Sequence, residues 1–285
     1  MTGHRAHAVR VGVARGWTEF RLGLKNPQDL GFYLFVAAGV LLYLFWNRDD
    51  EVAGTSLPVP SAALPGILAM LVAFGAVTGP AYALAVERED GTLLRARAVP
   101  HGVTGYVAGQ VLLQTMQVFP MFAVILGPSL LLFDGVAPRG AAGWLTVLWA
   151  TALGLAAMMP VGIVIGSLAS GPQRVGTWGL LPVLALAGVS GVLLPMDALW
   201  GWVRAVAQLF PVYWVGLGMR SAFLPDAAAV LEIGGSWRTW QAVCVPVAWA
   251  VAGMVVAPVV LRRAARRACG SRMAADRESA ARSVR

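Results

Sequence analysis

The sequence predicts an all-α integral membrane protein. It reads as six transmembrane helices, an N-terminal amphipathic interfacial helix, and an external re-entrant helical hairpin between helices five and six. Three observations predict it. First, 58% of the 285 residues are hydrophobic and only 13% charged, with a mean hydropathy of +0.69, whereas soluble domains carry roughly 25% charged residues. Second, the apolar residues gather into runs long enough to cross a hydrocarbon core of about 30 Å. Third, the charges segregate. Six crossings place seventeen cations and seven acids on one side, and five cations and seven acids on the other. The positive-inside bias assigns the cation-rich side to the cytoplasm, with both termini there.

Three regions follow from that pattern: residues 1–29 as a cytoplasmic tail and interfacial helix, 30–261 as the transmembrane domain, and 262–285 as a basic cytoplasmic tail. Within residues 12–25, Val13, Trp17, Phe20 and Leu24 are spaced by four, three and four. They form one apolar helix face, opposite Arg15, Thr18, Arg21 and Lys25. Trp17, Phe20 and Leu24 would enter the headgroup boundary while the cations stay in water. Asn26-Pro27 ends this helix and Asp29 is placed to cap the next. The first 29 residues lack the apolar stretch of a cleavable signal peptide.

The first crossing is Leu30–Trp46, uncharged, with Tyr43 and Trp46 at interfacial depth. The second occupies Leu64–Val86, kinked at Pro80, with Gly75 and Gly79 spaced for close helix approach. The third takes Thr104–Leu126 and is ended by Gly127-Pro128. A short external loop, Asp134–Gly140, leads to the fourth, Ala142–Leu168, which contains Pro160. Residues 170–174 make a tight cytoplasmic turn. The fifth crossing spans Thr177–Leu194 and the sixth Thr239–Leu261.

Between the fifth and sixth lies an apolar run, Ala205–Met219, flanked by Arg204 and Arg220 and interrupted by Pro211. At 1.5 Å per residue it reaches about 22 Å, too short to cross. A full crossing there would also carry the basic tail outside. A broken hairpin inserted from the external side satisfies both constraints, provided protein shields its interrupted backbone. Arg220 then needs a partner at membrane depth: solvent reached by snorkelling, Asp226, Glu232 or a lipid phosphate if it is a structural anchor, or else a substrate that it touches directly. Tyr213 and Trp214 read as anchors at the membrane interface.

Several chemistries are excluded. The single lysine, Lys25, lies outside any GxxxxGK loop, so this chain does not supply that ATP site. His4, His7 and His101 have no metal-ligand pattern around them, and Cys244 and Cys269 fall too far apart in the layout to pair. The crossings hold no Asp, Glu, Lys or Arg away from their edges. Ion-driven carriers and intramembrane enzymes ordinarily place such groups at mid-depth, so any driving energy should come from a partner. Topology accounts for the tail arginines, which can also lie on anionic lipid headgroups; nucleic acid is not expected as a partner.

The segment after the second crossing reads Glu87-Arg88-Glu89-Asp90-Gly91-Thr92-Leu93-Leu94-Arg95-Ala96-Arg97-Ala98-Val99-Pro100. It resembles the E-R-E…G-T-L…R…P hallmark of the ABC-2 exporter permeases. Phe210-Pro211-Val212-Tyr213-Trp214, continuing to Arg220, resembles that family's second, proline-tyrosine…arginine hallmark before the last helix. Phe210 departs from the asparagine frequent there. The likeness covers about residues 12–262 and is strongest to the daunorubicin-resistance type of transmembrane subunit.

The resemblance implies that Glu87, Glu89, Gly91, Thr92, Leu93 and Arg95 belong to an ATPase-coupling region. It also implies that Pro211, Tyr213 and Arg220 belong to the external re-entrant segment. Two ABC ATPase subunits per complex would hold ATP and Mg, with no cofactor in this chain. A second permease copy, identical or related, would complete the pathway in a bacterial plasma membrane. The implied function is outward movement of an amphiphilic drug, natural product or lipid-linked molecule, the kind of activity that underlies multidrug or antibiotic resistance. Two alternatives stay open at this point: a secondary transporter that needs no ATPase, and a membrane scaffold or assembly subunit without transport.

Overall fold

A computed structural model describes residues 2–52, 54–90, 102–169, 171–179, 181, 184, 185, 188, 200–257 and 259–260. These residues are helical almost throughout. Among them β-structure is limited to one isolated bridge between Glu51 and Pro58. In chain order the main helices are α1 (Thr2–Gly23), α2 (Pro27–Trp46), α3 (Val59–Glu89), α4 (Gly102–Leu132), α5 (Gly140–Leu168), α6 (Gly201–Ala207), α7 (Pro211–Phe223) and α8 (Thr239–Ala257). Five of these, α2, α3, α4, α5 and α8, are long and apolar enough to cross a membrane. The chain is a multi-pass membrane protein. The expected fifth crossing, Thr177–Leu194, falls largely outside the described residues, as does the tail 262–285.

Helix α1 differs from the expected interfacial helix in length and in contact. It begins ten residues earlier than position 12 and ends at Gly23, so Leu24 lies in the following turn with its amide still bonded to the Phe20 carbonyl at 3.0 Å. The reason is tertiary packing. A Cβ on Gly12 would stand 1.8 Å from the Gly105 carbonyl oxygen, and one on Gly16 would stand 2.3 Å from that of Gly109. Glycines on both helices remove the side chains that would otherwise separate α1 from α4. Trp17 remains exposed on the other face, with Phe20 half-buried and stacked on it at 5.8 Å between ring centroids.

The cap of α2 is Asn26 rather than Asp29. The Asn26 side-chain oxygen accepts from the Gln28 amide at 3.1 Å, and Pro27 occupies the first turn. Pro at that position lacks only a donor the helix cannot use.

Helix α3 continues without interruption past Pro65 and Pro80 and projects beyond the apolar run to Glu89. Helix α4 likewise continues through Pro120 and Pro128 to Leu132; Gly127-Pro128 does not end it. In an apolar medium a helix keeps its internal bonds because no water competes for them. Here the Ser129 hydroxyl donates back to the Ile125 carbonyl at 2.8 Å beside the proline.

The core forms around α3, which packs against α5 on one side and α7 on another. Leu64, Leu68, Val72, Met158, Val215 and Met219 meet there, each nearly inaccessible. The close helix–helix approach comes from Gly162 and Gly166 of α5. Added Cβ atoms there would stand 2.3 Å and 2.5 Å from the Val77 and Ala81 carbonyl oxygens. The predicted pair does not serve that purpose: Gly75 faces open space and Gly79 faces the Gln114 side chain.

Candidate functional site

The Glu87 end of α3 gathers residues from several elements. Because α3 stays helical past its apolar stretch, Glu87, Arg88 and Glu89 point in three directions about 100° apart. Glu87 turns toward α1 and α4. Its Oε1 accepts from an Arg15 Nη2 donor at 2.6 Å, while Arg15 Nε donates to Glu19 at 2.6 Å. The Arg15 guanidinium also lies 5.8 Å from the ring centre of buried Tyr106, within cation–π range. Glu87 Oε2 is buried without a hydrogen bond.

Arg88 turns the other way, toward the end of α5. One Nη1 nitrogen donates to the carbonyls of Gly166, Ser167 and Ala169 at 3.3, 2.8 and 2.9 Å. Those are carbonyls left without amide partners where a helix stops, and a cation at that end also opposes the helix dipole. Glu89 reaches the turn that follows, where a Cβ on Gly171 would stand 2.8 Å from its Oε1. The three consecutive charged residues thus join α3 to α1, to α5 and to the next turn. Gly91, Thr92, Leu93 and Arg95 of the predicted coupling region lie outside the described residues.

At the opposite end of the core, α6 and α7 form a helix–break–helix unit around Pro211. The break exposes carbonyls, and two indoles satisfy them. Trp214 Nε1 donates to the Gln208 carbonyl at 2.7 Å, and Trp249 Nε1 of α8 donates to that of Leu209 at 2.8 Å. All of α7 from Pro211 to Arg220 is buried. Tyr213 and Trp214 are therefore core residues, 0% and 4% exposed, and not anchors at an interface. The reason is that α7 lies between α3 and α5 on one side and the start of α8 on the other.

Arg220, 6% exposed, pairs with Glu232, 8% exposed. Its Nε and Nη2 donate to the two carboxylate oxygens, the latter at 3.1 Å. Of the candidate partners Asp226 is engaged elsewhere, accepting from Arg139 at 2.8 Å. Arg238, just before α8, donates to the Tyr213 hydroxyl at 2.5 Å and to Gln208 Oε1 at 2.9 Å. Its guanidinium also lies 4.8 Å from the Trp214 ring centre. Arg238 holds a φ of +39°, a conformation uncommon for a non-glycine residue.

Sequence reasoning named Glu87, Glu89, Pro211, Tyr213 and Arg220, and the structure places the first two in the α3-end cluster and the other three in α7. It missed Arg15, Arg88, Tyr106 and Arg238 as parts of these clusters. Arg238 carried a weak signal, since it is a cation with no acid within five residues on either side; Arg15 carried less, since Glu19 stands one turn away as a ready local partner. Nothing local marks Tyr106 or the direction in which Arg88 points.

The model of the family described as ABC-2 type transporter matches residues 29–224 of this chain. No curated protein matches it.

Proposed function

The chain belongs to the ABC-2 type transporter family, and from that premise we propose that it is the permease subunit of an exporter driven by separate ATPase subunits. The cargo is an amphiphilic molecule moved outward and left chemically unchanged. Two ATPases and a second permease copy complete the assembly, ATP and Mg being held by the ATPases. Both termini face the cytoplasm, so the Glu87 end of α3 is the side on which the ATPases dock, and the α6–α7 unit is the re-entrant hairpin on the outer side.

One observation carries this reading: Glu87 and Arg88 tie the projecting end of α3 to α1 through Arg15 and to α5 through three carbonyls. A push delivered to residues 87–100 is then passed to three helices at once, because each link is a short, directional contact and not a loose apolar one. The buried helix α7 supplies a wall at the other end, pinned by Arg220–Glu232 and Arg238–Tyr213.

The test is reconstitution with a partner ABC ATPase, comparing cargo-dependent ATP hydrolysis for the intact protein and Glu87→Ala. The variant should bind the ATPase yet lose most of the cargo stimulation. Stimulation equal to that of the intact protein would overturn the role of Glu87. Transport that persists without any ATPase and collapses with an ionophore would overturn the reading itself.

A further inference from the structure

A chamber of about 240 Å³ opens between α2, α3 and α4, on the side of the core away from the α6–α7 unit. Its walls are mostly apolar, Phe32, Phe74 and Phe122 among them, but five side chains carry polar groups: Asp29, Tyr33, Thr78, Gln114 and Gln117. The Thr78 hydroxyl donates within its own helix, to the Phe74 carbonyl at 2.7 Å.

Gln114 is different. It is 6% exposed, and its carboxamide has no hydrogen-bond partner among the described residues. The fully enclosed amide without a partner on this helix is Gln110 Nε2, one turn earlier; the Gln114 carboxamide lines the chamber instead, where a ligand can bond it. Gly79 makes room for it: a Cβ there would stand 2.3 Å from the Gln114 nitrogen. Gln117 lies one turn further along the same face. That face of α4 begins at Tyr106 and passes Gln110, so it connects the Arg15–Glu87 cluster to the chamber along one helix. The one charged side chain lining the chamber is the Asp29 carboxylate, in the first turn of α2.

We propose that this chamber is a receiving site for a cationic amphiphile, whose hydrogen-bonding group is taken by Gln114 and Gln117 and whose ammonium is drawn to Asp29. The apolar walls hold the ring or chain between them. The volume suits one or two fused rings; complete drug-sized ligands fill about 300–1,000 Å³, so the remainder of a larger cargo would extend through the open side into lipid. The proposal rests on the permease reading for its physiological meaning, since it places the site where cargo would enter from the cytoplasmic half of the bilayer.

The experiment measures binding of dansylcadaverine to the full chain in lipid nanodiscs without ATPase, by the rise in dansyl fluorescence. This probe carries a naphthalene, a sulfonamide and an ammonium. Its counterpart dansyl-6-aminohexanoate ends in a carboxylate. The intact chain should prefer the amine, and Asp29→Asn should erase that preference. Gln114→Leu, similar in volume, should raise Kd about tenfold, the equivalent of one lost hydrogen bond. Val118→Phe, from another part of the wall, should fill the chamber and weaken binding at least as much. If Gln114→Leu does not fold, Val118→Phe and Asp29→Asn still decide.

Equal affinity for the two probes, or unchanged binding in the variants, overturns the proposal. Loss in Val118→Phe with none in Gln114→Leu also overturns it, marking a slot for lipid chains instead. ATPase stimulation by dansylcadaverine is then measured separately. Binding with the expected variant pattern but no stimulation leaves the chamber standing and removes the permease reading. Stimulation retained in Gln114→Leu does the reverse.

Discussion

Arg15 and Glu87 stand 72 positions apart in the chain and 2.6 Å apart in space, which makes the N-terminal helix an integral part of the Glu87 cluster. Their side chains are 40% and 13% exposed. Solvent screening therefore limits what the pair adds to stability to about 1 kcal/mol. Its larger role is geometric, since Arg15 holds Glu87 through Oε1 while Oε2 is buried without a donor. Arg15→Gln and Glu87→Gln should each reduce cargo-stimulated ATP hydrolysis, and the double variant should be no worse than either alone. A double-variant loss equal to the product of the single losses would show that the two residues act independently.

The contact between α1 and α4 is backbone against backbone, so it should be acutely sensitive to side-chain size. Gly12→Val or Gly105→Val should separate the two helices, at a cost of about 1–3 kcal/mol or more. Limited trypsin digestion of inside-out vesicles checks this. Cleavage after Arg10 and Arg15 should accelerate in both variants and stay slow in a control, Val11→Ala, whose side chain is exposed.

Breaking the buried Arg220–Glu232 pair from one side strands a charge. Arg220→Met and Glu232→Leu should each destabilise the protein by about 3–5 kcal/mol, while the double variant recovers most of the loss. Thermal unfolding in detergent micelles gives the comparison. A double variant as unstable as the sum of the singles would mean that packing, and not charge, dominates at this position.

Asp226 gives the expected pH dependence outside the membrane-crossing helices. Its hydrogen bond from Arg139, and the charge of that guanidinium, hold its carboxyl below the ordinary range. A group whose folded pKa is depressed contributes stability above its unfolded pKa and loses it as pH falls through the folded value. The difference between the intact chain and Asp226→Asn should therefore be present near neutral pH. It should shrink as pH drops below about 4 and vanish once Asp226 is protonated in both states. Because Asp226 is exposed, the effect is small and is best read as a shift in midpoint across a pH series.

The long helices were legible in the sequence because lipid imposes a minimum length on every crossing, and that length appears as uninterrupted apolar sequence. The fourth crossing was placed to within two residues, Gly140 against Ala142 at its start. Pro128 misled because proline breaks helices in water, where competing solvent takes up the freed carbonyl; inside an apolar core the helix holds. Tyr213 and Trp214 misled because amphipathic aromatics favour interfaces, and only the packing of α3, α5 and α8 around α7 reveals that they are enclosed.

Glu87 was legible as a charge at the end of a crossing, but its partner Arg15 was not, since spacing along a chain carries no record of contact across 72 residues. Gln114 escaped notice for a different reason. A search for ionisable groups at mid-depth passes over a carboxamide, although one that opens onto a chamber is nearly as informative.

The enclosed Arg220–Glu232 pair has an electrical consequence. Its two formal charges cancel, so any rocking of α7 that keeps the pair intact transfers no net charge from these residues through the transmembrane field. An elementary charge crossing that field exchanges about 2.3 kcal/mol per 100 mV; a cancelled pair exchanges almost nothing. Any displacement of α7 that carries both residues together is thereby insensitive to membrane voltage as far as this pair is concerned.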